Sequence, residues 1–238
     1  MTVQNGLAAL DLIAKYGEDK IVAGCVMWGS SMPGPGRYAV TAKGPFVVGG
    51  LEGRDNPQAA KCRQALKAAF PVQVSPDMRD VLWAKLTITA SLTSLGAITG
   101  LRFGEMLKRR NIRDLILRVG SEVVTVGRAS GVEFAHSEGG LNVNLLVGDG
   151  FPPQWIRHLL IRAIGLKHRR TESSMAASIS MGRPTEIDLV NGVVVELGKK
   201  YDIQAPVNEA IIRVVQELEN GSSRPGSESY EMLTNLLK

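Results

Sequence analysis

At 238 residues with 44% hydrophobic content, the chain is long enough to bury a core in one or two domains, which excludes disorder over its whole length. Cys25 and Cys62 are too few for a disulfide framework and lack metal-like spacing, pointing to a reducing, cytoplasmic setting. The formal charge of +5 is spread along the chain and selects no polyanionic partner, no basic region precedes an apolar run at the N-terminus, and no stretch approaches about 18 apolar residues.

The first 75 residues alternate short apolar runs with helical patterns, as βα units of a parallel or mixed sheet do. Residues 2–4 read as the end of a strand, and Leu7, Leu10, Ile13 and Ala14 form a helical stripe. Strands are expected over 21–28, 37–43, 45–48 and 72–74. Asn56 followed by Pro57 predicts an N-cap and first-turn proline, opening a helix through residue 69. From Ser75 and Pro76, read as a second such start, the pattern becomes helical, so domains are expected over 1–75 and 76–238.

Residues 77–98 predict a long, largely buried helix. Further helices are expected over 103–109, 112–128 and 153–164, with residues 131–150 a glycine-rich loop. Thr185 and Asp188 have capping-box spacing ahead of a stripe of Ile187, Val190, Val194 and Leu197. A second stripe, Val207, Ile211, Val214 and Leu218, follows Pro206. Residues 221–229 have the composition of a mobile linker before a last helix.

Letter by letter, Gly34-Pro35-Gly36-Arg37-Tyr38-Ala39 matches G-x-G-x-x-A. An alternating segment follows it rather than a helix, so a tight turn is the better reading. His136, His158 and His168 have no ligand-like spacing, and no metal site is expected. Lys108, Arg109, Arg110 and Arg113, with Lys167, His168, Arg169 and Arg170, are basic clusters without a recognition motif, read as a solvated face or a contact to cofactor phosphates. Lys85 lies inside the apolar helix with Thr89 and Thr93 one and two turns on, either a solvated stripe or the wall of a polar cleft. Glu186, following Thr185, suits the first turn of a helix, where an exposed carboxylate is worth less than about 1 kcal/mol.

In order and spacing, Val3-Gln4-Asn5-Gly6, Trp83-Ala84-Lys85-Leu86, Ser173-Ser174-Met175, Gly182-Arg183-Pro184-Thr185-Glu186-Ile187-Asp188, Asn191-Gly192 and Pro206-Val207-Asn208 resemble the ketopantoate reductases. The resemblance implies an α/β plus all-α architecture: the C-terminal part of a Rossmann domain, then a helical C-terminal domain, with the active site in the cleft between them. It implies NADP(H)-dependent reduction of ketopantoate or a similar 2-oxoacid, a step of pantothenate biosynthesis. Lys85 then matches the catalytic lysine, Glu186 its acidic partner, and Ser174 a substrate-binding serine. Asn5 matches an asparagine near nicotinamide and substrate, and Ser30 falls near a cofactor contact. Thr89 and Thr93 stand on the substrate side where the family commonly has asparagines; Thr171 and Ser178 depart from it nearby.

The chain opens where the family is near the end of its Rossmann domain, so the first strands and the phosphate-binding turn are expected to be missing. That would leave strand edges uncovered, and it raises an alternative: a non-catalytic dimerisation or small-acid-binding module. The expected partners are a small 2-oxoacid and, as one option, a second copy of the chain, with no nucleic acid and no membrane.

Overall fold

The computed structural model describes residues 1–51, 56–135, 142–147 and 152–238, with only the backbone described at 33 and 167. The chain forms two compact units, Met1–Lys85 with Val132–Asn142, and Leu86–Gly131 with Val143–Lys238. The division falls ten residues beyond the expected boundary, inside a helix.

The first unit holds α1 (Ala8–Tyr16), β1 (Ala23–Val26), β2 (Gly29–Gly34), β3 (Arg37–Ala42), β4 (Phe46–Gly49), α2 (Pro57–Leu66) and β5 (Val72–Ser75). The mixed sheet runs β1-β4-β5, antiparallel between β1 and β4 and parallel between β4 and β5. Its middle strand is apolar throughout, and Val47 and Val48 are fully buried, as a strand covered on both faces requires. Thr2 adds a parallel bridge to Ala23.

β2 and β3 form a separate two-stranded sheet. The G-x-G-x-x-A letters lie at its turn, where Gly34 pairs with Arg37 and Gly36 takes φ of 71°. The turn reading is correct: a strand follows these glycines, and no helix N-terminus is there to receive a phosphate.

α2 begins as its cap predicts, with Asn56 Oδ1 accepting from the N–H groups of Gln58 (2.9 Å) and Ala59 (3.1 Å). Asn56→Ala is expected to lower unfolding stability by about 1 kcal/mol, read as a lower urea midpoint at unchanged slope. A midpoint equal to that of the unmutated chain would show the cap to be idle.

At α3 (Met78–Thr99) the expected start is corrected. Ser75 closes the strand, its Oγ accepting from Asp77 N–H at 3.2 Å, while Asp77 Oδ1 accepts from Arg79 N–H at 2.8 Å. The carboxylate reaches the first-turn N–H groups better than the serine two residues earlier. α3 also corrects the hydropathy expectation, since an 18-residue window of mean hydropathy 1.4 is long and apolar enough to cross a membrane. That window is 83% buried within the chain, as a core helix is. Its hydroxyls pass among apolar neighbours because Ser91, Ser94 and Thr99 donate to the carbonyls of Thr87, Ala90 and Leu95 one turn back.

The early turns of α3 belong to the first unit for a physical reason. Met78 is fully buried and its N–H donates to Gly50 O, and the buried Asp80 carboxylate accepts from Phe134 and Ala135 N–H at 3.2 and 2.8 Å.

The described residues of the second unit are helical or irregular: the rest of α3, then α4 (Phe103–Met106), α5 (Arg110–Ala129), α6 (Val143–Val147), α7 (Gln154–Lys167), α8 (Ser174–Ser180), α9 (Val193–Lys200), α10 (Pro206–Glu219) and α11 (Ser227–Leu236). α6 interrupts what was expected to be a continuous loop over 131–150, of which residues 136–141 and 148–150 lie outside the described residues, His136 among them. Val119, Val123, Val194, Ile211, Val214 and Leu233 are each fully buried at the centre of this unit.

His158 is buried, accepting from Arg113 Nε at 3.3 Å with Nε2 3.2 Å from Asp114, a structural arrangement. The 221–229 segment does not behave as a linker: Gly226 N–H donates to Ile98 O, and the buried Ser223 and Ser229 hydroxyls pair at 2.7 Å. Those bonds anchor a stretch whose composition alone reads as loose.

Candidate active site

Lys85 sits half-buried in the third turn of α3, and its Nζ donates to Val26 O at 2.9 Å, at the carboxyl end of β1. An apolar helix can carry this ammonium because its head meets a carbonyl. Burial pushes the adjacent Cys25 thiol up from its ordinary value, and the Lys85 charge draws it part-way back.

Glu186 and Ser174 come together in the second unit, Ser174 Oγ donating to Glu186 Oε1 at 3.2 Å. Ser174 is the first residue of α8, capped by Ser173, whose Oγ accepts from Ala176 N–H. Ser173 is buried and donates the same hydroxyl to Thr93 O at 2.5 Å. This approach needs Gly96, where a Cβ would stand 2.7 Å from that of Ser173. Ser173 and Gly96 were not assigned roles from sequence; a glycine inside a long apolar helix was the available signal of a close backbone approach.

Thr89 is buried, and Thr93 Oγ1 donates to Thr89 O at 2.7 Å. With its proton committed to its own helix, the Thr93 hydroxyl offers lone pairs and a methyl group. Asn5 is half-buried in the turn that opens α1, in the same unit as Lys85. Ser30 is exposed on the β2–β3 hairpin, opposite Val40.

Glu186 is placed by a polar network rather than by the expected capping box. Thr185 Oγ1 accepts from Ile187 N–H at 3.1 Å, but Thr185 N–H goes to Glu219 instead of Asp188. The following turn, Asp188–Gly192, is π-helical. It directs Asn191 inward, where its Nδ2 donates to Ala90 O (3.2 Å) on α3 and to Asn208 Oδ1 (2.9 Å) on α10. Asn208 Nδ2 donates to Glu122 on α5 at 2.7 Å. Widened turns of this kind recur beside functional residues because they re-aim a side chain.

These residues fall within regions that match known family models. Residues 77–219 match the model described as ketopantoate reductase PanE/ApbA C terminal, and residues 1–53 match ketopantoate reductase PanE/ApbA. The chain belongs to the ketopantoate reductase family. It is 24% identical over 222 residues to the 2-dehydropantoate 2-reductase of Archaeoglobus fulgidus, covering 92% of this chain and 68% of that protein. Among solved structures, a PanE/ApbA family ketopantoate reductase from Ralstonia eutropha JMP134 superposes with a TM-score of 0.72 at 27% identity, covering 92% of this chain and 66% of that one. D-mandelate dehydrogenase, solved with NADH and anilino(oxo)acetate, shares the fold at a TM-score of 0.75 and 20% identity, over 92% of this chain and 67% of that one. The chain thus spans about two thirds of the length of these members. In this member of the ketopantoate reductase family, the motifs around Asn191 and Asn208 have a structural explanation: they are the two ends of one buried amide pair.

Proposed function

We propose that the chain carries the proton donor and the substrate-holding pair of an NADP(H)-dependent 2-oxoacid reductase, with ketopantoate the substrate to try first. The observation that carries this reading is the Ser174–Glu186 pair at 3.2 Å, because its bond direction defines what it can hold. Ser174 spends its proton on the carboxylate, so what the pair offers a ligand is acceptor atoms rather than donors. Such a pair takes a substrate hydroxyl and repels a bare carboxylate.

Asn5 fits the nicotinamide end of the cofactor, since its amide can both donate to and accept from a carboxamide. The Gly34–Ala39 letters do not fit the pyrophosphate, for the hairpin reason given above, and Ser30 is the remaining proposed contact. A bound NADPH supplies hydride to the keto carbon. Lys85 then gives its proton to the oxygen that becomes the alcohol and offsets the charge developing there. Water restores the ammonium, so one keto acid, one NADPH and one proton give one hydroxy acid and one NADP+.

The test is NADPH consumption at 340 nm, with any residues encoded upstream included, comparing ketopantoate with its analogue lacking the hydroxyl. Glu186→Gln is expected to raise KM for ketopantoate by on the order of 10- to 100-fold and to leave the analogue nearly unchanged. Equal effects on both would remove the hydroxyl from the reading. Absence of turnover with any 2-oxoacid would remove the reading itself.

A further inference from the structure

One face of α5 carries Asp114, Arg118 and Ser121, spaced one turn apart. Together with Pro152, Gln154 and Arg157 at the start of α7, these residues line a cavity of about 490 Å³ inside the second unit. That volume falls within the range of roughly 300–1,000 Å³ in which small ligands are held. None of these residues belongs to the Lys85, Ser174 and Glu186 set.

The ion pair that the sequence offers in this cavity is not made. Asp114 and Arg118 stand at i and i+4, the spacing at which a carboxylate and a guanidinium meet on a helix. The Asp114 carboxylate instead lies 3.2 Å from His158 Nε2. Arg113 Nε donates to His158 Nδ1, so the imidazole carries its proton on Nε2, the nitrogen beside Asp114. Arg118 is left exposed, with no carboxylate partner among the described residues.

Two further features raise the positive potential of the same wall. Arg157 Nε donates to Pro152 O at 2.8 Å, which sets the plane of a second guanidinium. α7 starts after Pro153 with no side-chain cap, so the positive end of its dipole lies at Gln154.

We infer that this cavity binds a small phosphate monoester that also carries an ammonium or hydroxyl group. Guanidinium forks match phosphate oxygens, and the helix start adds to their attraction. A phosphate brings nearly two charges and three acceptor oxygens, so it engages more of these donors than a carboxylate does. Ser121 and Gln154 can donate to the oxygens that remain. Asp114 in the same lining repels a bare anion, and a donor group on the ligand turns that repulsion into a bond.

Calorimetric titration of the full chain at low salt, with phosphoethanolamine and with ethyl phosphate, reads the site without any turnover, so it stands apart from the reductase reading. Phosphoethanolamine is expected to bind at a single site about 10-fold more tightly than ethyl phosphate, and Asp114→Asn should remove that preference. Arg118→Ala should weaken both ligands by about 10-fold or more while the unfolding midpoint without ligand stays unchanged, and Arg118→Lys should fall between. Arg170→Ala, at an exposed arginine outside the cavity, should bind as the unmutated chain does. Three results would each overturn the inference: no binding of phosphoethanolamine to the unmutated chain, equal affinity for the two ligands, or the same loss in Arg170→Ala as in Arg118→Ala. The last would mark general adsorption of anions to a basic surface.

Discussion

Replacement of Lys85 by alanine is expected to lower kcat/KM for 2-oxoacid reduction by about 10³-fold, within the 10²- to 10⁴-fold range of a positioned general acid. In the proposed reaction charge develops on the keto oxygen, and removing the ammonium would delete both the proposed proton donor and the charge that offsets it. The same change deletes the bond from Nζ to Val26 O at 2.9 Å, a contribution of about 1 kcal/mol to stability, so the variant should remain folded. NADPH fluorescence separates the two effects: cofactor affinity should change little while turnover collapses. Turnover within a factor of two of the unmutated enzyme would remove Lys85 from the chemistry.

The largest stability effect is expected at Glu122. α10 begins with Pro206, and Ala205 before it provides no side-chain cap. Glu122 replaces that cap from α5, with one carboxylate oxygen accepting from Val207 N–H (2.9 Å) and the other from Asn208 N–H (3.0 Å) and Asn208 Nδ2 (2.7 Å). Glu122→Ala strands two first-turn N–H groups and a fully buried amide, while removing a negative charge from a helix N-terminus. The expected cost is about 3–5 kcal/mol in urea unfolding, with Glu122→Gln losing roughly half as much. Because Asn208 also holds Asn191, the damage should reach the Glu186 turn and raise KM in any molecules that remain folded. A loss under about 1 kcal/mol would show that water replaces the carboxylate at no cost.

What could be read along the chain was local. Asn56-Pro57 announced the start of α2 because cap and helix lie within three residues of each other. The stripe Val207, Ile211, Val214 and Leu218 announced α10 because a helix repeats its faces every three to four residues, and all four are buried. The tight turn at Gly34–Arg37 followed from two glycines and an alternating segment, whereas strand β2 before it was not expected. The motif order carried the family, and with it Lys85, Ser174 and Glu186 as residues to examine.

Partners distant in sequence were not legible. Glu122 caps a helix 85 residues away, Ser173 reaches Thr93 across 80, and Asn191 reaches Ala90 across 101. No local pattern encodes such pairs. The π-helical turn at Asp188–Gly192 and the anchored 221–229 segment were missed for the same reason, since tertiary bonds override what composition prefers.

The sequence by itself determined the periodic elements, their apolar faces, and the membership that makes Lys85 and Glu186 worth testing. Only the tertiary structure decided that the Lys85 ammonium meets a strand carbonyl, that Ser174 donates to Glu186, and that Asp114 turns to His158 rather than to Arg118. Periodicity records which residues avoid water. The bond partner of a polar group depends on chain closure, and that is set when helices far apart in sequence pack together.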